Sequence, residues 1–501
     1  MSESGSRQKW NSKMGFILSA VGSAVGLGNI WRFPYTLYEN GGGGFLIPYF
    51  VAVFTAGIPI LILEYVLGSK YRGSAPLAFA RNNKKFEWVG WIPTLLSLMI
   101  ILYYSSIVSW AMNYMILSFT RGWGADPNAF FFGDFLQMTG SGFDFGTINF
   151  KVLIGLLIVW GGTYLLCSKS IDKGIEKVNK VLLPLLGITM VIIIIRGVTL
   201  EGSTIGLNVL FTPDFSKLLD AKVWMAAYSQ VFFSLSVAMG VMITYSSYLP
   251  KDSDVVNTAF ITGLANSAFE FTVAIGIFGI LGYMSATSGQ PVTEVVTAGM
   301  GLAFVAFPTG FNLMGGFGGV LGVVFFASLV FAGFTSFISL TEAFIMPFID
   351  KFKIERKKAY AIVCGGGFLI SSIYSTGAGL IILDIVDYFV NTYVIVTVGI
   401  IEAVVVCYVF KLDSFKEYAN RVSIQKVGKM WVYSLMFIVP IFLTLNLVVS
   451  AFTLFTSGYG GYSFSELAAF GGGTLLVIAI VTGILNNMPW KNPSDTDFVE
   501  E

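Results

Sequence analysis

The sequence contains no histidine and only three cysteines in 501 residues. The missing histidine excludes histidine-based zinc sites, imidazole acid–base chemistry and histidine pH switches. Cys167, Cys364 and Cys407 lie far apart in apolar runs, so they read as small core residues and imply no disulfide framework. Charge is scarce as well, at 12% of residues against roughly 25% in a soluble domain. The net charge of +1 supplies no field that would attract nucleic acid. No GxxxxGK[ST] phosphate loop and no acid–base pair beside a nucleophile is present, so an enzyme is not expected. A ring of charges suited to a channel pore is also lacking.

What is abundant is apolar surface: 55% of residues are hydrophobic and the mean hydropathy is +0.77. Runs long enough to cross a bilayer fall at 14–38, 43–68, 89–119, 150–168, 174–196, 224–249, 254–284, 318–349, 358–374, 378–410, 428–455 and 465–487. They predict an all-α polytopic membrane protein of 12 transmembrane helices. Six of the 30 Lys and Arg residues (Arg32, Arg121, Lys151, Arg196, Lys217 and Lys222) lie in or beside the outward-facing stretches, and 24 lie on the other side. That bias places both termini in the cytoplasm and agrees with an even helix count. The first run has no small-residue cleavage site after it and reads as a permanent span of the cell (inner) membrane, not a removed leader. The stretch 285–317 carries apolar pieces too short to span, Val292–Ala298 and Leu302–Phe307, which either fold into a vestibule or form a surface loop. The tail from Asn492 is short and acidic and is expected to be disordered.

Within the first run, Gly22-Ser23-Ala24-Val25-Gly26-Leu27-Gly28-Asn29 places three glycines at mid-depth. Each costs a helix interior roughly 1 kcal/mol relative to alanine, so the helix should break there. A membrane tolerates such a break where the freed backbone groups meet protein, water or a ligand. The sixth run has a weaker break, Ser234-Leu235-Ser236-Val237-Ala238-Met239-Gly240. Span one opens one group of five and span six opens the next; matching broken helices in two halves point to a transporter with a 5+5 inverted repeat and a mid-membrane site. The alternative is that small residues merely allow close helix packing. The implied division is 1–13 cytoplasmic tail, 14–198 first repeat, 199–223 extracellular connection, 224–411 second repeat, 412–488 last two helices and 489–501 cytoplasmic tail.

Ionisable groups at bilayer depth are costly and face a cavity or a partner. Glu64, Glu270, Glu342, Asp384, Asp387, Glu402 and Arg32 are such groups. Glu270 follows Asn266 by one helical turn, a pairing of oxygens that suits a hard cation or its counter-charge. A protonated Glu270 hydrogen-bonded between helices is the alternative. Thr335 and Ser336 form a second polar pair, although hydroxyls in membrane helices usually bond back to their own carbonyls.

Taken together, Gly22 to Pro34, Glu39-Asn40-Gly41-Gly42-Gly43, Pro48-Tyr49, Asn266 and Ala332-Gly333-Phe334-Thr335-Ser336 resemble the neurotransmitter:sodium symporter family, in particular its bacterial amino-acid transporters of the leucine-transporter type. The resemblance covers Arg7 to Phe410 and continues more loosely to span twelve. It implies two sodium ions, one at Ala24, Asn29, Ser234 and Asn266, the other at Gly22, Val25, Ala332, Thr335 and Ser336. It implies a substrate pocket lined by Ser23, Ala24, Leu27, Gly28, Ile100, Tyr104, Phe233, Ser234, Ser236, Met239, Ser336 and Leu340. Monoamine carriers of the family have an aspartate where this chain has Gly26, so Gly26 points to an amino-acid substrate. Glu270, beside Tyr49 and Gln230, stands where chloride-dependent relatives have a small residue, which implies that no chloride is required.

The resemblance also implies an outer gate of Arg32 and Asp387 over a Tyr104–Phe233 lid, and an inner gate of Arg7 and Asp350 supported by Trp10 and Tyr248. Gly174 and Pro184 resemble a family motif in which local unwinding wets the second sodium site, a plain helix start and kink being the alternative. Met239 replaces a phenylalanine of the leucine transporter and would admit a bulkier side chain. Ala238 replaces a glycine and should stiffen the unwound link, while Ser234 replaces a threonine and keeps the hydroxyl. The reading is sodium-coupled, chloride-independent symport of a neutral hydrophobic or aromatic amino acid by alternating access. A proton-coupled transporter of the same fold is the alternative, and proton antiport through Glu270 is compatible with sodium symport. Expected partners are the small amino-acid substrate and the lipid bilayer, with a homodimer left open and no nucleic acid.

Overall fold

The structure, a computed structural model, describes residues 8–295 and 299–497. Among the described residues no β-strand forms, and each of the twelve apolar runs is helical. Among the described residues, length and composition qualify nine helices as spans, and ten when the bent pair Lys13–Ala24 and Leu27–Glu39 is counted as one. The two segments that would bring the number to twelve fall short for different reasons. The sixth is divided into Ala221–Ser234 and Val241–Ser246 by an unwound link. The ninth, Arg356–Ser371, has 16 residues and begins with three basic ones, so its apolar stretch is short.

Segments one, two (Gly43–Tyr71), three (Lys84–Ser118), six, seven (Val255–Ser288) and eight (Gly316–Phe352) form the centre. Burial follows from sequence: Ile58 to Tyr71 is buried on every face, as expected of a helix without a polar stripe. The periphery differs. Ile188, Val191 and Ile195 of segment five (Ile175–Thr199) and Phe452 and Phe455 of segment eleven (Lys429–Ser457) are exposed apolar residues that a bilayer would cover.

Segment five is continuous, with Gly174 at its N-cap and Pro184 inside it, so here the Gly174–Pro184 stretch is a helix start with an internal proline. The apolar pieces of 285–317 fold inward as helices: Val292–Val295 and Gly299–Leu313, with residues 296–298 of the expected piece outside the described residues. Phe304 is fully buried and stacks on Phe131, in the stretch 120–149 between the third and fourth apolar runs, with 5.2 Å between centroids.

In the tail, residues 492–497 correct the expectation of disorder, while residues 498–501 lie outside the described residues. Pro493–Thr496 forms a short helical turn, Thr496 is buried, and Asp495 and Asp497 pair with Lys353 and Lys84 at 2.5 and 2.8 Å. Acidic residues beside a basic surface have a docking partner, which composition alone does not reveal.

Candidate functional site

The break in segment one falls at Val25 and Gly26, and the two halves meet at 51°. Only one of the three glycines lies in the break. Gly22 ends the first half-helix and Gly28 starts the second; both serve close approach. A Cβ on Gly28 would lie 2.4 Å from the Phe233 ring, and one on Gly22 would lie 2.6 Å from Asn179 Oδ1. The freed backbone groups find side chains: Gly26 N–H donates to Asn29 Oδ1 at 2.8 Å and Leu27 N–H to the Tyr104 hydroxyl at 3.2 Å. The Ser23 carbonyl accepts from Ser236 and Ser336 hydroxyls at 3.0 and 3.1 Å.

The link in segment six is more strained. Ser236 and Ala238 adopt left-handed conformations, φ +52° and +62°, which cost a residue with a Cβ of order 1–3 kcal/mol. Neighbours hold them there. Ala238 N–H donates to Glu64 Oε1 at 2.5 Å, and the Met239 carbonyl accepts from Ser97 at 2.8 Å. Every residue expected in the substrate pocket lines one cavity between these two breaks, with a volume of ≈ 580 Å³. Ile100, Phe233, Met239 and Leu340 supply an apolar wall, and the Ser23 hydroxyl is buried without a hydrogen-bond partner.

The residues expected around the two cations also converge. Asn29 Nδ2 donates to Asn266 Oδ1 at 2.8 Å, and Asn266 Nδ2 donates to Ser234 Oγ. Each amide oxygen keeps a second lone pair in this arrangement. At the other site, Ser336 Oγ reaches the Gly22 carbonyl at 3.5 Å and Thr335 Oγ1 the Ala332 carbonyl at 3.0 Å. Val25 lies at the break itself, its N–H bonded to the Val21 carbonyl at 2.7 Å. Carbonyl, amide and hydroxyl oxygens form a hard donor set, which fits sodium and not a soft transition metal. Glu270 accepts from Gln230 Nε2 at 2.9 Å and from the Tyr49 hydroxyl, so the expected trio is assembled.

Comparison with known proteins is consistent with this geometry. The profile of the "Sodium:neurotransmitter symporter family" matches residues 7–126 and 124–488. The chain belongs to this symporter family. An uncharacterized sodium-dependent transporter of Methanocaldococcus jannaschii is 42% identical over 482 residues, covering 96% of this chain and 98% of its own length. A sodium-dependent dopamine transporter of Caenorhabditis elegans is 31% identical, with 89% of this chain and 80% of the relative covered. The crystal structure of MhsT in complex with L-phenylalanine superposes with a TM-score of 0.75 at 31% identity, covering 88% of this chain and 99% of that one. The chain is thus a member of a family of sodium-dependent membrane transporters and not an enzyme.

In this symporter-family chain the two gate regions differ. Arg32 lies over the Phe233 ring at 4.5 Å and reaches Ser229 at 3.4 Å, while Asp387 accepts from Tyr103 and Asn391 at 2.6 and 2.7 Å. Both line the cavity, and no ion pair joins them among the described residues. At the opposite end Trp10 is buried, donating through Nε1 to the Tyr245 carbonyl at 2.8 Å, and Tyr248 donates to Glu342 at 2.6 Å. Arg7 lies outside the described residues; Asp350 accepts from Ser74 N–H at 3.0 Å.

Two residues of these regions had no place in the expected gates or pocket, although Asp384 was among the ionisable groups expected to face a cavity or a partner. Asp384 holds Tyr459 and Tyr462 at the cavity's outer wall, and Arg356 grips Glu342 through both terminal nitrogens at 2.8 Å. The signals were weak. Asp384 is an intramembrane acid one turn from Asp387, whereas Arg356 reads only as one of a run of surface cations.

Proposed function

We propose that this chain imports a neutral hydrophobic or aromatic amino acid by sodium-coupled, chloride-independent symport, alternating between outward and inward access. The observation that carries the reading is the cavity between the two helix breaks: its apolar wall of Ile100, Phe233, Met239 and Leu340 suits an apolar side chain. Its polar side includes the unwound backbone at Gly26, the Tyr104 hydroxyl and the Ser23 hydroxyl. Half-helix N-termini there favour a carboxylate, and exposed carbonyls favour an ammonium. The solved relative carrying L-phenylalanine supports the substrate class.

Two sodium positions are proposed, one among Asn29, Ser234 and Asn266 with the Ala24 carbonyl, the other among Gly22, Val25, Ala332, Thr335 and Ser336. Sodium bound beside the cavity would supply the positive charge that favours a substrate carboxylate, so each ligand would raise the other's affinity by the same factor. Glu270, held by Tyr49 and Gln230, supplies the fixed negative charge that makes chloride unnecessary. The distribution of Lys and Arg supports cytoplasmic termini in the cell membrane.

The test is uptake of labelled amino acids into proteoliposomes with a sodium, potassium or proton gradient, each with and without chloride. Uptake that needs inward sodium and ignores chloride, with Glu270→Ser acquiring a chloride requirement, is the expected result. Uptake driven by protons in the absence of sodium would overturn it.

A further inference from the structure

Asn179 lies in the second turn of segment five and is completely buried. Its Nδ2 donates to the Ile175 carbonyl at 2.9 Å, one turn back. A carbonyl can only accept, so this bond fixes which end of the amide is which. The other end, Oδ1, has no hydrogen-bond partner. It points at Gly22, where a Cβ would sit 2.6 Å from it and 3.6 Å from the Thr335 side chain. An unsatisfied buried amide oxygen is costly. Here one stands where segments one, five and eight meet, beside two residues already placed at the second cation position.

We propose that Asn179 is a further residue of that cation site, its amide oxygen facing the cation from segment five. The site then has three walls: the Gly22 and Val25 carbonyls, the Ala332–Ser336 turn, and Asn179. The inference rests on the sodium reading above and adds to it a physical connection to segment five. Asn179 sits between Gly174 and Pro184, and one turn before it Glu176 accepts from Asn11 N–H and Ser12 Oγ at 2.7 and 3.1 Å. Gly15 and Gly22, seven residues apart, let segment one approach Glu176 and Asn179 respectively. A cation held by Asn179 therefore keeps the first two turns of segment five wound against segment one. Glycine at position 22 is needed for the same reason: any side chain there would displace the amide.

Hydrogen–deuterium exchange of the purified full-length protein, titrated with sodium chloride against potassium chloride, tests this. In the wild type, sodium should protect both the break at residues 22–27 and the turns at 174–184. Asn179→Leu, which keeps the volume and removes the oxygen, should raise the half-maximal sodium concentration on the order of tenfold and abolish protection of 174–184. Asn179→Asp, which keeps the oxygen, should titrate at or below the wild-type concentration. If Asn179→Leu does not purify in folded form, Asn179→Ser is expected to show the same shift, because its hydroxyl is too short to reach. Wild-type titration by both oxygen-removing or shortened variants would overturn the role of Asn179 while leaving sodium coupling intact; a bound water serving Oδ1 gives that result. A wild type with no sodium-dependent protection at residues 22–27 would overturn the sodium reading and this inference together.

Discussion

The two ends of the pathway use charge in opposite ways. At the outer end Arg32 and Asp387 share a cavity wall without pairing, each held instead by neutral or aromatic neighbours. At the inner end Glu342 is enclosed by Arg356, Tyr248 and Tyr360, and Lys351 pairs with Glu87 at 2.5 Å while Trp91 and Trp490 donate to the same carboxylate. Bringing a charge pair together inside protein is favourable only when further hydrogen bonds compensate the lost water. The inner charges already have those bonds. The outer ones line the cavity, and under the proposed function their pairing would follow substrate occupancy. The cavity thus lies beside the charges that stay apart, and the charges at the opposite end are enclosed by hydrogen-bond donors.

The comparison is broken most severely from below. Arg356→Ala leaves Glu342 buried without its cation, which should cost about 3–5 kcal/mol and lower the thermal midpoint sharply. A midpoint unchanged from wild type would mean that Glu342 does not depend on the pair. The next effect is in the middle. Gly28→Ala forces the Phe233 ring away from its place over the cavity, and overpacking of this kind costs about 1–3 kcal/mol; substrate binding should weaken, and the thermal midpoint should fall by less than in Arg356→Ala.

A smaller effect sharpens the outer end. Tyr103→Phe releases Asp387 from its phenolic donor, worth about 1 kcal/mol, and should favour its pairing with Arg32. A cysteine placed in the vestibule would then react more slowly with an impermeant thiol reagent; equal or faster labelling would contradict that view. The smallest effect is at the docked tail. Truncation after Asn492 removes the exposed Lys84–Asp497 pair and the half-exposed Lys353–Asp495 pair, each worth less than about 1 kcal/mol. Stability should change slightly and uptake hardly at all.

Much of this was legible from spacing. Hydropathy placed the twelve apolar segments, and the residues expected in the substrate pocket line one cavity. The position of the break was less legible. Glycines 22, 26 and 28 carry the same propensity penalty, yet the helix opens only at Val25–Gly26, where Asn29 and Tyr104 receive the freed N–H groups. Asn179 was invisible for a similar reason: a single amide in an apolar helix has no pattern, and only the approach of Gly22 marks it.

By itself the sequence determined that the chain is helical and spans a membrane, that segments one and six are weakened, and that hard oxygen donors stand near both weak points. These properties follow from local composition and period, which a bilayer turns into structure by denying the backbone any partner but itself. Tertiary structure alone decided which side chains satisfy the opened backbone, and which charges pair and which are held apart. Many of those depend on contacts between residues far apart in the chain, such as Tyr103 with Asp387 or Ser97 with Met239, where no local pattern reaches.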